Sequence, residues 1–183
     1  VFAAAGRRFL DAPSPKDYLD EWTHRLADAN DQTSTDQLSM LVFRIGDEWL
    51  ALPVGILVEV TRPRTPHRIP HRAGLLAGIV NIRGELHLCV QLDLLLGVAG
   101  KGSQHRDHKP RLIVIKRDSE GWAFEADEVD QVHRLSSSNL TAAAPTLSRA
   151  MAKLTRGVFQ IEDRPVGLLD ETRLFHSLRE RIR

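Results

Sequence analysis

The 183-residue sequence contains a single cysteine, Cys89, so no disulfide can form within the chain. That fits a reducing compartment, and a cytoplasmic location is expected. Aromatic residues are scarce at 5%, which leaves little for a base-stacking surface. A dominant charge is missing too. The 25 Lys and Arg are interspersed with 24 Asp and Glu, for a formal net charge of +1, so there is no electrostatic footprint for nucleic acid. No apolar run reaches the roughly 20 residues of a membrane helix. The longest, Leu86 to Leu96, is broken by His87, Gln91 and Asp93. There is no secretory pattern. The first residue is Val1 rather than Met, so a trimmed chain with an upstream segment is expected.

Catalytic signatures are absent as well. No Gly-rich phosphate loop and no Gly-x-Ser-x-Gly elbow occurs. His105 and His108 flank Arg106-Asp107 in a polar loop with no third ligand in view, so no metal is expected. No enzyme activity and no cofactor are expected. Cys89 alternates with apolar neighbours, as an inert buried thiol does.

What is present is a core-forming composition, 42% hydrophobic and 27% charged. Residues 1–37 read as a helical extension and linker. Ser14-Pro15-Lys16-Asp17 combines a cap, a first-position proline and an early acid. Tyr18, Leu19, Trp22 and Leu26 follow at helical spacing. This face either packs back onto the chain's own domain or docks a partner. Asn30 to Gln37 is polar and rich in Ser and Thr.

From Leu38 the pattern turns to β. Strands are expected at 40–45, 49–54, 56–60, 79–82, 86–92, 112–115, 122–126, 129–132, 158–161 and 165–169. A short helix is expected at 148–153 and a helical tail at 171–182, with Leu174, Phe175, Leu178 and Ile182 on one face. The chain also repeats itself. Leu75 to Gly84 resembles Leu154 to Asp163, and Cys89-Val90-Gln91 falls on Leu168-Leu169-Asp170. Leu50-Ala51-Leu52 falls on Trp122-Ala123-Phe124, and Val60 on Val132. The expected fold is mainly β, with two five-stranded barrel-like subdomains at about 38–97 and 111–170 packed together. Neither half buries much alone, and their junction offers a groove.

Several segments in this order resemble the CheW-like family of chemotaxis coupling proteins. Leu41 to Trp49 resembles its opening strand pair, and Gly78-Ile79-Val80-Asn81-Ile82-Arg83-Gly84-Glu85 its signature turn. Glu59 stands where the family has a Glu in its third strand, and Gly157 to Leu174 resembles its closing hairpin and helix. The resemblance spans about Leu38 to Leu178. It implies two SH3-like five-stranded barrels and a non-enzymatic adaptor joining a chemoreceptor tip to the regulatory domain of a CheA-type histidine kinase. It also implies receptor-binding residues at Leu57, Glu59, Gly78, Asn81 and Arg83. The second half is the expected kinase-facing part. Two positions depart from the family: Leu88 replaces a usual Pro, and Gln91 a usual Asp, which puts a local polar contact in doubt. The N-terminal extension resembles that of some adaptors in Wsp-type surface-sensing pathways, where the kinase output controls a diguanylate cyclase.

The residues allow two readings each. Arg83 is either a solvated turn residue or a charged fork raised for binding, with Gly84 permitting a positive φ. Glu59 is an outward strand acid or the group that orients Arg83. Strand alternation places Leu57 on the face of Glu59. Asn81 serves the turn or contacts a partner. Arg62, Arg64, His67, Arg68, His71 and Arg72, punctuated by prolines, form a solvated loop or meet an acidic partner. Outside the adaptor reading stands a small β-barrel nucleic-acid or other protein-interaction module.

Overall fold

The computed structural model describes residues 37–70, 74–98, 109–142 and 149–182. The chain divides into the units Val1–Gln37 and Leu38–Arg183, and the description concerns the second. The expected N-terminal helix, His71, Arg72, His105 and His108 lie outside the described residues.

Among the described residues ten strands follow one another: β1 (Gln37–Ile45), β2 (Glu48–Pro53), β3 (Leu57–Thr61), β4 (Leu76–Ile82), β5 (Glu85–Val90), β6 (Arg111–Arg117), β7 (Glu120–Ala126), β8 (Glu128–Ser136), β9 (Thr155–Ile161) and β10 (Arg164–Leu169). Among the described residues three α-helices accompany them: α1 (Leu92–Leu96), α2 (Arg149–Leu154) and α3 (Glu171–Ile182). The strands form two five-stranded sheets, ordered β8-β1-β2-β10-β9 and β3-β6-β7-β5-β4.

The expected architecture of two five-stranded units is present, but the subdomain boundaries 38–97 and 111–170 are not the sheet boundaries. Each sheet takes strands from both halves. The first combines β1 and β2 with β8, β9 and β10; the second combines β3, β4 and β5 with β6 and β7. The halves are therefore intertwined. Parallel pairings sew them together, Leu50 opposite Gly167 in one sheet and Leu88 opposite Trp122 in the other. The physical reason lies in β1 and β6, which are apolar on both faces. A strand of that kind needs cover on both sides.

Burial shows this directly. Leu41, Phe43 and Ile45 of β1 enter the main core, while Met40 and Val42 enter a second cluster with Phe159, Ile161, Val166 and Leu168. Ile113 and Ile115 of β6 join the main core, while Leu112 and Val114 face a third cluster with Val80, Ile82 and Cys89. The main core lies between the sheets, where the rings of Phe43 and Phe124 meet with centroids 5.5 Å apart. Each such buried side chain contributes roughly 2–3 kcal/mol through loss of apolar surface from water. Leu174, Phe175 and Leu178 of α3 close the same core. That is the one-sided face expected of the tail.

The internal repeat governs local structure. Thr155 to Leu169 reproduces Leu76 to Val90 down to its irregularities. Both hairpins carry a register shift near their outer end, at Leu76/Gly78 and at Leu168/Leu169. Both have an outer strand covered by an isolated bridge, His67 on Ile79 and Thr141 on Val158. The strand expected at 86–92 ends at Val90, and helix α1 is an element the sequence pattern does not predict. Its signal is a left-handed Gly97 at the C-terminus and Asp93 in the first turn.

Candidate functional site

The hairpin β4–β5 turns through Arg83 and Gly84, both at positive φ (52° and 90°). This is the backbone that a tight two-residue turn requires, since it matches the right-handed twist of the strands. Glycine takes such a φ freely, whereas Arg83 takes it at some cost. The turn is held from inside, where Asn81 Oδ1 accepts a hydrogen bond from the Gly84 amide at 2.9 Å. Arg64 Nη1 donates to the Asn81 carbonyl at 2.9 Å.

The turn places Arg83 over β3. Its Nε lies 2.8 Å from Glu59 Oε2, with the Arg83 side chain 81% exposed and that of Glu59 20% exposed. A salt bridge this open contributes under about 1 kcal/mol to folding. What it does is fix the direction of the fork. One edge of the guanidinium engages Glu59 and most of the group faces solvent.

Three of the five expected site residues, Glu59, Asn81 and Arg83, come together here. The other two do not present themselves as expected. Leu57 packs against the main core. The reason is a bulge: Leu57 lies opposite Ile115 but Glu59 lies opposite Val114, so β3 carries an extra residue and strict alternation fails. The exposed apolar neighbour of Glu59 is Val58, at 48%, which alternation had placed on the other face. Gly78 is buried, and a Cβ there would lie 2.3 Å from the His67 carbonyl oxygen. It lets the segment Arg62–Pro70 lie against β4, where the His67 and Ile79 amides each donate to the other's carbonyl at 2.8 and 2.9 Å.

Residues that sequence reasoning passed over complete the surroundings. His87 of β5 is 2% exposed, and its Nδ1 has no hydrogen-bond partner among the described residues. Room for the ring comes from Gly121, where a Cβ would lie 2.3 Å from Nδ1. Burial pushes the imidazole below its ordinary pKa of 6.5; Glu85 opposes the shift and Lys116 adds to it. A cleft of about 620 Å³ opens beside the Arg62–Pro70 segment, lined among others by Ile45, Arg64, Arg68, Leu76, Gln91 and Asp127. Gln91 precedes α1 and makes no side-chain cap. Its counterpart Asp170 accepts from the Arg173 amide at 3.0 Å. The polar contact doubted at Gln91 is thus missing in the first half and kept in the second.

Residues 39–179 match the model of the CheW-like domain. The chain belongs to that family. It is 25% identical over 154 residues to the chemotaxis protein CheW of Helicobacter pylori, covering 84% of this chain and 91% of that protein. The CheW of Rhizobium meliloti is 24% identical over 140 residues, covering 75% and 87%. Among solved structures, the scaffolding protein TtCheW of Thermoanaerobacter tengcongensis superposes with a TM-score of 0.62 at 18% identity, over 73% of this chain and 89% of that one. The CheW-like family is one of non-enzymatic adaptors that couple chemoreceptors to CheA. No helix among the described residues is long and apolar enough to cross a membrane.

Proposed function

We propose that this protein is a cytoplasmic coupling adaptor whose receptor contact centres on Arg83. The observation that carries the assignment is a fork 81% exposed and aimed by Glu59 at 2.8 Å. A receptor tip is a helical hairpin, offering an apolar stripe and side-chain or backbone oxygens. Val58 supplies an apolar contact beside the charged pair, and Asn81 keeps the turn in shape. A desolvated, oriented Arg next to an apolar patch is the usual make-up of a binding hot spot.

The test is Arg83→Ala. Receptor affinity should fall by about 2 kcal/mol, close to 30-fold, if the fork is desolvated in the complex. Kinase binding and melting temperature should stay as they are, because a turn arginine in water contributes little to stability. Unchanged receptor affinity, or loss of the fold, would sink the assignment. Recovery of an oligonucleotide complex instead would favour the nucleic-acid module.

The kinase-facing surface is proposed on the second half of the chain, where β8 forms a sheet edge with Val132 half exposed. The extension at 1–37 supports a Wsp-type setting, with a diguanylate cyclase as the final target. Co-purification of this chain with the kinase of such a pathway, and failure with a flagellar one, is the check.

A further inference from the structure

Between β3 and β4 the chain does not loop into solvent. Arg62–Pro70 runs along the outer edge of β4 as a strap. It is fastened by the His67–Ile79 hydrogen-bond pair, by Arg64 on the Asn81 carbonyl, and by the close approach that Gly78 permits. Pro63, Pro66 and Pro70 reduce the entropy lost in holding it there. The strap contains three arginines and no acid.

Arg62, Arg64 and Arg68 are all exposed, and none is paired with a carboxylate among the described residues. Four arginines elsewhere are paired with acids, Arg44 with Glu128, Arg164 with Asp130, Arg173 with Asp170 and Arg179 with Glu120. The nearest acid in sequence, Glu59, is engaged by Arg83. Asp93, Glu125 and Asp127 also line the cleft, and Asp127 accepts from the Gly46 amide. In a chain of net charge +1, this is a local concentration of positive charge. It is fastened to the same hairpin that carries Arg83.

We propose that the strap is a cationic shelf of the receptor-facing surface, taking an acidic stretch of the receptor hairpin next to the contact at Glu59 and Arg83. The inference rests on the adaptor reading and adds the chemistry of the partner. Exposed guanidinium groups draw carboxylates by charge, which lysine at the same positions supplies as well. A fixed patch of one sign also draws an opposite partner from solution, an effect that salt suppresses.

The experiment measures binding of the full chain to the soluble cytoplasmic fragment of its chemoreceptor, at about 50 and about 300 mM salt, a range over which the screening length falls from about 14 to about 6 Å. Wild type is compared with R62Q/R68Q, R62K/R68K and Arg83→Ala; Arg64 is kept because it holds the Asn81 carbonyl. The glutamine variant should bind about tenfold more weakly at low salt and lose most of its salt dependence, while the lysine variant keeps most of both. Kinase binding and melting temperature should not move. A glutamine variant with wild-type affinity and salt dependence overturns the shelf and leaves the Arg83 site standing. A lysine variant as weak as the glutamine one overturns it also, since positioning rather than charge would then be at work. Equal competition by a mixed-sequence oligonucleotide would mean a general polyanion surface and likewise overturns it. Wild type that binds no receptor fragment at either salt defeats the adaptor reading, and the shelf with it.

Discussion

The hairpins β4–β5 and β9–β10 have the same backbone and opposite charge logic. Their turns share positive φ at both central residues, Arg83 and Gly84 in one, Glu162 and Asp163 in the other. In the second hairpin, the guanidinium carbon of Arg164 lies 4.4 Å from the Trp49 ring centre, and its Nη2 lies 3.5 Å from Asp130 Oδ2 and 3.6 Å from Glu162 Oε2. That arginine is saturated by a π face and two acids. In the first hairpin the arginine moves to the tip, with a single acid beneath it. The comparison teaches that the repeat supplies two equivalent turns, and side-chain chemistry leaves one of them with an exposed cation at its tip.

The largest effect should come from the strap seat. Gly78→Ala forces a Cβ against a backbone oxygen at a φ of 148°, so unfolding free energy should drop by roughly 3 kcal/mol, read by urea denaturation. At the counterpart, Gly157→Ala meets Leu140 side-chain atoms and the Thr141 oxygen at 2.7 Å, with no left-handed backbone to strain, and should cost about half as much. Equal losses would break the distinction between the two seats.

A smaller effect tests the helix caps. Asp170→Ala should cost about 1 kcal/mol, and Gln91→Asp should recover about 0.5–1 kcal/mol by giving α1 the cap that α3 has. Thermal melting of the two single variants decides it. No gain from Gln91→Asp would mean that α1 is set by Leu92, Leu95 and Leu96 in the core rather than by its cap.

The last test concerns acid alone. Where one sheet has buried Val166, the other has His87. Its folded pKa lies below the unfolded value of 6.5. Below pH 6.5 the unfolded chain therefore binds a proton that the folded chain does not. Stability is full above 6.5 and declines as pH falls from there toward the folded pKa. His87→Val should flatten the decline. An unchanged pH profile in that variant would show that His87 is not its source.

Much of this was legible in the sequence, and the illegible parts have one cause. Hairpins are local, so Arg83-Gly84 and the repeat of Leu75 to Gly84 could be read from neighbours alone. Which strand lies beside β2 is a long-range matter. Nothing in the periodicity of Leu50 points to Gly167, so the local pattern yields two subdomains packed together and not two sheets that exchange strands. A bulge is similarly silent: one extra residue at Val58 leaves the composition of β3 unchanged but rotates Leu57 into the core. Helix α1 hid inside an apolar run, although the repeat already aligned Gln91 with Asp170 ahead of the helical tail.

The intertwined sheets also bear on how the chain is made. Neither sheet is complete from the first half alone, because β2 waits for β10 and β5 waits for β7. A ribosome that has released residues only as far as Pro110 exposes two hairpins with apolar faces and no partners. Closure has to wait for the C-terminal strands, over contacts of high sequence separation, which makes for slow folding. Until then the nascent chain exposes apolar faces prone to aggregation, and a chain that ends before β10 leaves β2 without its parallel neighbour while the sheet of β3 to β7 has all its strands.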